Sequence, residues 1–141
     1  MTITFDQLER LVEETIISNT EIFMKEGAAD MGQQFARDTP VDTGKATANW
    51  HGSIDSEDLV SLNRFDQSLT ARPTRNAIRA ELDGYVYGQD IYVQNAVKGD
   101  EGEGYIIQLE HGKSNQAPNG MVLINLRNAQ NVYNRAYQGN L

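Results

Sequence analysis

Apolar side chains recur at intervals of three and four residues through the first 38 positions, which is the period of an α-helix. Thr4 and Gln7 have the spacing of a capping box, so the helix is predicted to begin beside them. Pro40 disfavours helical backbone in the residue before it and predicts an end at Asp38. Because glycine weakens a helix interior, we expect a kink or a break near Gly27.

Three segments in the middle of the chain predict β-strands. Residues 46–54 place Trp50, the single tryptophan, among small and polar residues, and we expect this strand to bury the indole ring. Residues 85–88 and 91–95 are rich in aromatic and β-branched side chains, which favour strands. The residues between the last two segments predict a turn or a bulge. Together these strands indicate a small, mainly antiparallel sheet.

Two further helices are predicted, with irregular connections around them. Residues 73–83 have apolar positions at helical spacing, and Gly84 supplies a stop. Residues 119–138 carry another apolar stripe, and this helix is expected to dock on the sheet. Residues 56–72 are polar and predict a long connection. Residues 98–104 hold three acids and three glycines, a composition that cannot pack a core.

Residues 105–122 form the most closely specified loop of the chain. An apolar turn comes first, and Gly112 is free to take a positive φ in the polar turn that follows. Pro118 then favours an extended approach by restricting Ala117, and a helix start follows at Asn119. A loop whose shape is set this closely is expected to be a contact surface.

These elements predict a single domain, residues 1–141, of the α/β (α+β) class. A small, mainly antiparallel sheet would pack against a long N-terminal helix, a short middle helix and a C-terminal helix. A chain of 141 residues is long enough for one hydrophobic core and too short for two. Its regions are the N-terminal helix at 1–38, the sheet at 39–122 and the C-terminal helix at 119–138.

The net charge of −8 is unevenly distributed along the chain. Residues 1–70 hold 13 acidic and 5 basic side chains, whereas residues 121–141 hold two arginines and no acid. This balance argues against specific nucleic-acid binding, although DNA could pass such a surface without adhering to it. The start of the chain lacks the features of a signal peptide, and no apolar run approaches the roughly 20 residues of a membrane span. We expect synthesis in the cytoplasm and no membrane partner.

The sequence shows no arrangement that predicts catalysis, a metal site or a cofactor. Residues 112–114, Gly-Lys-Ser, match the end of a phosphate-binding loop, but Ile107 stands where that motif needs an earlier glycine. The two histidines, His51 and His111, do not lie at ligand spacing on a helix, and the chain has no cysteine. We therefore predict no catalytic, cofactor-binding or metal-binding residues. The alternative is a small hydrolase or ligand-binding domain that uses Glu110 and His111.

Two blocks of the sequence carry a family resemblance. Residues 40–45 read Pro-Val-Asp-Thr-Gly-Lys and are followed by Asn49 and Trp50. The second block begins with Ile-Tyr-Val at 91–93 and continues through 105–122. In their order and spacing, the two blocks resemble the tail-completion proteins of tailed bacteriophages, whose signature reads PVDTG…NW. That group includes lambda-type minor tail protein Z.

The resemblance implies a structural virion protein, a tail-completion or neck protein that joins the tail to the connector on the head side as a ring of subunits. Its implied partners are other copies of the chain, head–tail adaptor or connector proteins, and a tail terminator or tail-tube protein. A minor tail or baseplate component is the alternative. The chain departs from the family in one place: nine residues separate Asn95 from Tyr105, where the family usually has a Pro-Tyr pair soon after the asparagine.

A ring requires a contact between neighbours, and we expect the loop of residues 112–121 to take part in it. The acidic first helix and the basic last helix offer opposite charges for such a contact. Identical subunits that meet through two different surfaces close into a ring when the rotation between them permits. The positions that we single out as motif or interface residues are Asp42, Thr43, Gly44, Trp50, Asn95, Tyr105, Glu110, Gly112, Ser114, Gln116, Pro118, Gly120, Met121, Arg127 and Arg135.

Overall fold

The computed structural model describes residues 2–98 and 104–140, where the chain has an α+β fold of six helices and a two-stranded antiparallel sheet. Most of the predicted acidic loop, residues 99–103, lies outside the described ranges. The helices are α1 (Phe5–Asp38), α2 (Lys45–Ala48), α3 (Arg72–Leu82), α4 (Tyr105–Glu110), α5 (Leu123–Leu126) and α6 (Ala129–Gly139). The strands are β1 (His51–Ile54) and β2 (Ile91–Gln94), paired so that His51 lies opposite Gln94.

Helix α1 begins and ends where the local signals predict. The Thr4 hydroxyl accepts a hydrogen bond from the Gln7 backbone N–H at 3.2 Å, and the Gln7 side chain accepts one from the Thr4 N–H at 2.9 Å. This capping box satisfies donors that a helix start leaves unpaired. Thr39 is extended ahead of Pro40 and ends the helix. The helix is continuous through Gly27, so the predicted break there is wrong.

Gly27 allows α6 to pack closely on α1. The ring of Tyr133, on α6, lies so close that a Cβ on residue 27 would come within 2.0 Å of its Cδ1 atom. The Phe23 ring flanks the same tyrosine, with ring centroids 5.2 Å apart. On α6, Val132 and Ala136 are buried. The C-terminal helix therefore packs along α1, and the prediction that it docks on the sheet is wrong.

Replacing Gly27 by alanine should lower the free energy of unfolding by about 1–3 kcal/mol, the usual effect of overpacking a filled site. The methyl group would collide with the Tyr133 ring, which cannot swing away while it is held against α1. Gly139→Ala, at the end of α6, is the matched control because a Cβ there meets nothing within 4 Å. Urea titration of both variants checks the prediction, and equal stabilities would contradict the close packing of α6 on α1.

The second half of α1 is the centre of the core. Gly32 lets Ile78 of α3 and Val93 of β2 approach the helix, both within 3.0 Å of where a Cβ would lie. Arg79 of α3 adds a polar tie, since its guanidinium donates to the carboxylates of Glu26 and Asp30 on α1. The buried residues of α1 are Gly27, Ala28, Ala29, Met31, Gly32, Phe35 and Ala36.

Four details of the predicted elements are wrong. Residues 46–48 belong to α2, so the strand predicted at 46–54 begins only at His51 and does not include Trp50. Residues 85–86 have no regular secondary structure and residues 87–88 form a turn, so the strand predicted there is wrong. Residues 105–110 form helix α4 instead of a single turn, and the predicted helix at 119–138 is divided into α5 and α6. Among the described residues, the helices include none with both the length and the apolar character needed to cross a bilayer.

Candidate functional site

Glu110, the last residue of α4, closes the loop of residues 111–122. Its Oε2 atom accepts hydrogen bonds from the backbone N–H groups of Met121 and Val122, and its Oε1 atom accepts one from Leu123, each at 2.8 Å. These donors lead into α5, where a helix start leaves its N–H groups unpaired. Burial acts to raise the pKa of Glu110, but the three backbone hydrogen bonds outweigh it and hold the pKa below its ordinary 4.5.

Two glycines allow the loop to fold back on itself. Gly112 and Gly120 have φ angles of +84° and +76°, which side chains other than glycine rarely adopt. A Cβ on Gly112 would lie 2.3 Å from the carbonyl oxygen of Pro118, and one on Gly120 would lie 2.3 Å from that of Glu110. The positive φ predicted for Gly112 is confirmed. A glycine is also needed there because the backbone of Pro118 lies so close.

Gln116 joins the loop to the first sequence block. Its side-chain amide donates to the carbonyl oxygen of Val41 at 3.1 Å and accepts from the Val41 N–H at 2.9 Å. The two residues are 75 positions apart in sequence. Beside this pair, Ala117 and Met121 are buried, so the loop is fastened by apolar contacts as well. The amide of Gln116 is thus an internal tie, although part of its side chain remains exposed.

The turn at residues 40–45 is held by a close contact with Asp66. Gly44 has a φ of +83°, and a Cβ there would come within 2.4 Å of the Asp66 carbonyl oxygen. The Asp66 N–H donates to the Gly44 carbonyl at 3.0 Å. Asp42 and Thr43 are exposed on the outer side of the turn. Of this motif, the glycine therefore shapes the backbone and the two polar residues face solvent.

Asp66 is a buried carboxylate that the sequence analysis did not single out. It accepts from the backbone and hydroxyl groups of both Ser68 and Thr74, at distances from 2.6 to 3.1 Å. Burial acts to raise its pKa, but these hydrogen bonds outweigh it and keep the pKa below the ordinary 3.8. The Asp-x-Ser spacing is a recognised turn signal and could have identified the residue.

Trp50 is buried as predicted, in the short link between α2 and β1. Its ring packs on Phe35 with centroids 5.1 Å apart, and its Nε1–H donates to the Thr39 hydroxyl at 2.7 Å. Asn95, just after β2, donates from its side chain to the Ala46 carbonyl at 2.8 Å. Asn95 and Gln116 thus form two ties between the first and the second sequence blocks.

The remaining loop residues shape the surface. The Ser114 hydroxyl accepts from the Gln116 N–H at 3.2 Å, and the Lys113 ammonium lies 5.8 Å from the centroid of the Tyr105 ring. Pro118 and Asn119 are exposed at the loop's outer edge. The Ser114 hydroxyl thus has a partner within the loop. Pro118 and Asn119 are the side chains placed to contact another molecule.

Arg127 and Arg135 are both exposed, but they differ in what lies near them. Arg127 follows α5 directly. Arg135 lies close enough to Asp30 of α1 to lower the pKa of that carboxyl, whose burial nonetheless keeps the pKa above its ordinary value. Part of the charge of Arg135 is therefore used within its own subunit, and Arg127 is the better placed of the two to meet a neighbour.

A cleft of about 670 Å³ opens between the two sequence blocks. One wall is residues 116–120 of the loop, and the other includes the chain from Thr39 to Val41 at the end of α1. Leu69 stands at its edge with its side chain 99% exposed. Residues of both sequence blocks are accessible in this cleft, which makes it the candidate contact site.

His51 is buried and is held by backbone contacts. Its ring nitrogens lie against two backbone carbonyl oxygens, with Nδ1 2.8 Å from that of Asn49 and Nε2 2.7 Å from that of Asp58. His111 is exposed and stands apart from any such arrangement. Within residues 2–98 and 104–140, the carboxylates and histidines do not gather in groups of three or more that could hold a metal ion.

Comparison of the chain with models of known protein families, with curated proteins and with solved structures finds no match.

Proposed function

We propose that this chain is a structural virion protein of a tailed bacteriophage, a tail-completion or neck protein that joins the tail to the head-side connector as a ring of subunits. The observation that carries the proposal is the meeting of the two sequence blocks. Gln116 pairs with the backbone of Val41, and Asn95 bonds the Ala46 carbonyl. The two sequence blocks that carry the family resemblance are therefore hydrogen-bonded to each other. This is expected if both blocks belong to one fold and one contact surface.

The loop of residues 112–121 suits a structural contact because its shape does not depend on a ligand. Glu110 fastens it through three backbone hydrogen bonds, and Gly112 and Gly120 allow its ends to touch. A surface that is already ordered loses little conformational entropy when a partner binds. In the proposed ring this surface meets a neighbouring subunit, and the ring's faces meet the adaptor or connector on one side and the tail terminator or tube on the other.

The hydrolase alternative has a specific obstacle at Glu110. Both of its carboxylate oxygens accept backbone hydrogen bonds, and its lowered pKa holds it ionised at neutral pH. A general acid needs a proton to give, and a general base needs access to the proton that it takes. A carboxylate that closes a helix start has neither property.

Deleting the gene for this chain from its viral genome should leave filled heads and tails that do not join, and wild-type protein supplied in trans should restore infectious particles. A doubly substituted protein, supplied in the same way, tests the loop. Asn115→Ala with Asn119→Ala removes two exposed side chains and should give folded protein but poorly joined particles. Electron microscopy and plaque counts measure the outcome. Normal particles from the deletion would contradict the proposal.

Gln116→Ala is not a suitable probe of the contact between subunits. It would cut the tie to Val41 inside the subunit and weaken the fold and the contact together. The matched control is instead Glu57→Ala, an exposed position in the connection that precedes α3 and far along the chain from the loop. Particles carrying this control should be normal.

A further inference from the structure

The N-terminal half of α1 carries apolar side chains that the subunit leaves uncovered. Every residue from Phe5 to Ser18 is exposed, a stretch of ~20 Å at 1.5 Å per residue. The side chains of Phe5 and Ile16 are 78% and 59% exposed, although both are strongly apolar. Burial in α1 begins only at Gly27. The first half of the helix therefore stands clear of the core.

The exposed apolar residues form a stripe. Phe5, Leu8, Val12 and Ile16 follow one another at intervals of three and four residues, so they lie on one face of the helix. We call this set the α1 stripe. An isolated helix of this length is marginal in water, and most helices in proteins are stabilised by packing an apolar face. The stripe thus has the form of a surface that a partner covers.

A second uncovered apolar surface lies on the same chain. A cleft of about 660 Å³, which we call the α1–β2 groove, is lined by apolar residues of both elements and of the C-terminal segment. Of its lining residues, Leu126 of α5 is 49% exposed. Lining residues of the groove include Met24, Ala28, Met31, Ile91, Leu126 and Tyr133.

The chain segment that carries the stripe and the C-terminal segment that lines one side of the groove have opposite charges. Residues 2–18 hold four acids and one arginine, and Glu9 and Glu13 border the α1 stripe on one side. Residues 111–140 hold a lysine, two arginines and no acid, and Arg127 directly follows the groove residue Leu126. The groove lining also includes one acid, Asp90. Two copies of α1 laid side by side would bring acids together instead.

The groove cannot be filled by the helix of its own chain. Met24, Ala28 and Met31, which line it, belong to the same continuous helix as the stripe. A continuous helix cannot fold back on itself, so the occupant must come from another molecule. We propose that the α1 stripe of one subunit docks in the α1–β2 groove of the next, with Glu9 and Glu13 directed towards the side of Arg127.

This contact deepens the proposed ring and rests on it. Stripe and groove are different surfaces, so each subunit uses one of each, and the series of contacts closes into a ring when the rotation permits. The contact also explains why α1 is long for so small a domain. Its second half builds the core, and its first half reaches the neighbouring subunit.

Two pairs of substitutions test the contact in the purified full-length chain. Val12→Ser with Ile16→Ser removes two stripe side chains and should weaken association about a hundredfold, roughly tenfold for each apolar side chain. Leu11→Ser with Ile17→Ser is the matched control, because both side chains are exposed on the same helix but lie off the stripe. Light scattering coupled to size exclusion should show oligomers for the wild type and the control, and monomers for the stripe variant.

Mixing two defective proteins distinguishes a stripe-to-groove contact from pairing of two stripes. Leu126→Glu with Arg127→Glu disables the groove and should be monomeric alone. Mixed with the stripe variant, it should form a one-to-one dimer and nothing larger, because one intact stripe meets one intact groove. A wild-type monomer at all concentrations, an oligomeric stripe variant, or an oligomeric groove variant would each overturn the proposed contact.

The same variants separate this inference from the proposed function. If the chain forms the stripe-to-groove oligomer in solution but is missing from virions, the proposed contact stands and the neck function is wrong. Fully joined, infectious particles built from the stripe variant would preserve the neck function and remove the contact. All six substituted positions are exposed in the single subunit, so each variant should keep its helical fold, and circular dichroism measures this.

Discussion

Replacing Trp50 by alanine should lower the free energy of unfolding by about 3–5 kcal/mol, the usual cost of removing a buried aromatic side chain. The Trp50 side chain is 5% exposed and packs on the Phe35 ring. Its Nε1–H donates to the Thr39 hydroxyl, which in turn donates to the Phe35 carbonyl at 2.6 Å. The substitution would leave a cavity between α1 and the α2–β1 link and would remove the hydrogen bond that closes this chain of contacts.

Trp50→Phe is the control, because it keeps an aromatic ring and removes the N–H donor. It should cost about 1–2 kcal/mol, from one hydrogen bond and a smaller ring. Urea titrations followed by circular dichroism measure both variants, since neither retains the single tryptophan. In the wild type, the indole emission should shift to longer wavelength on unfolding. A loss below 1 kcal/mol for Trp50→Ala would show that the indole is not a core side chain.

Replacing Glu110 by alanine should lower the free energy of unfolding by about 2–4 kcal/mol at neutral pH. The backbone N–H groups of Met121, Val122 and Leu123 would all lose their acceptor. Glu110→Gln keeps the shape of the side chain but replaces one acceptor oxygen with a donor, so an intermediate loss is expected. Glu57→Ala, at an exposed position, should leave the stability unchanged.

The effect of Glu110 should depend on pH in a defined direction. Its folded pKa lies below the ordinary 4.5, so the carboxylate stabilises the fold above that pH. This contribution is lost as the pH falls through the lowered pKa of the folded state. Below that pKa the carboxyl group is protonated in both the folded and the unfolded chain. The difference in unfolding free energy between wild type and Glu110→Gln should therefore shrink in acid. A difference that stays constant from pH 7 to strongly acidic pH would show that the carboxylate charge does not fasten the loop.

Signals that act within a few residues predicted structure well in this chain. The capping box of Thr4 and Gln7 fixed the start of α1, and Pro40 fixed its end. The positive φ of Gly112 also followed from the polar turn around it. In each case the cause of the conformation lies within one turn of chain.

Side-chain bonds to the backbone, one of them from a distant residue, account for the wrong strand prediction at residues 85–88. Residues 85–88 favour a strand by composition, but Glu21 of α1 accepts from the Tyr87 N–H at 3.0 Å and Gln89 accepts from the Val86 N–H at 2.8 Å. These bonds occupy the backbone that a strand would need. The Gln116–Val41 pair, with 75 positions between its residues, has no local signal at all.

Periodicity located the apolar face of α1 but could not say which half is covered. Phe5 and Phe35 belong to the same helix, yet the first is 78% exposed and the second 7%. The difference arises because α3, α6 and the sheet pack on the second half only. Which residues bury an apolar stripe depends on where the neighbours lie, and in the proposed ring the neighbour of the first half is another subunit.

Quantitative mass spectrometry of purified virus particles tests the central claim, that this chain is a ring-forming structural protein of the virion. We expect the chain to be present in a small, fixed number of copies per particle, comparable with the other ring proteins of the head–tail junction. It should stay with the particles through density-gradient purification. Absence from purified particles, with the protein abundant only in the surrounding lysate, would contradict the account.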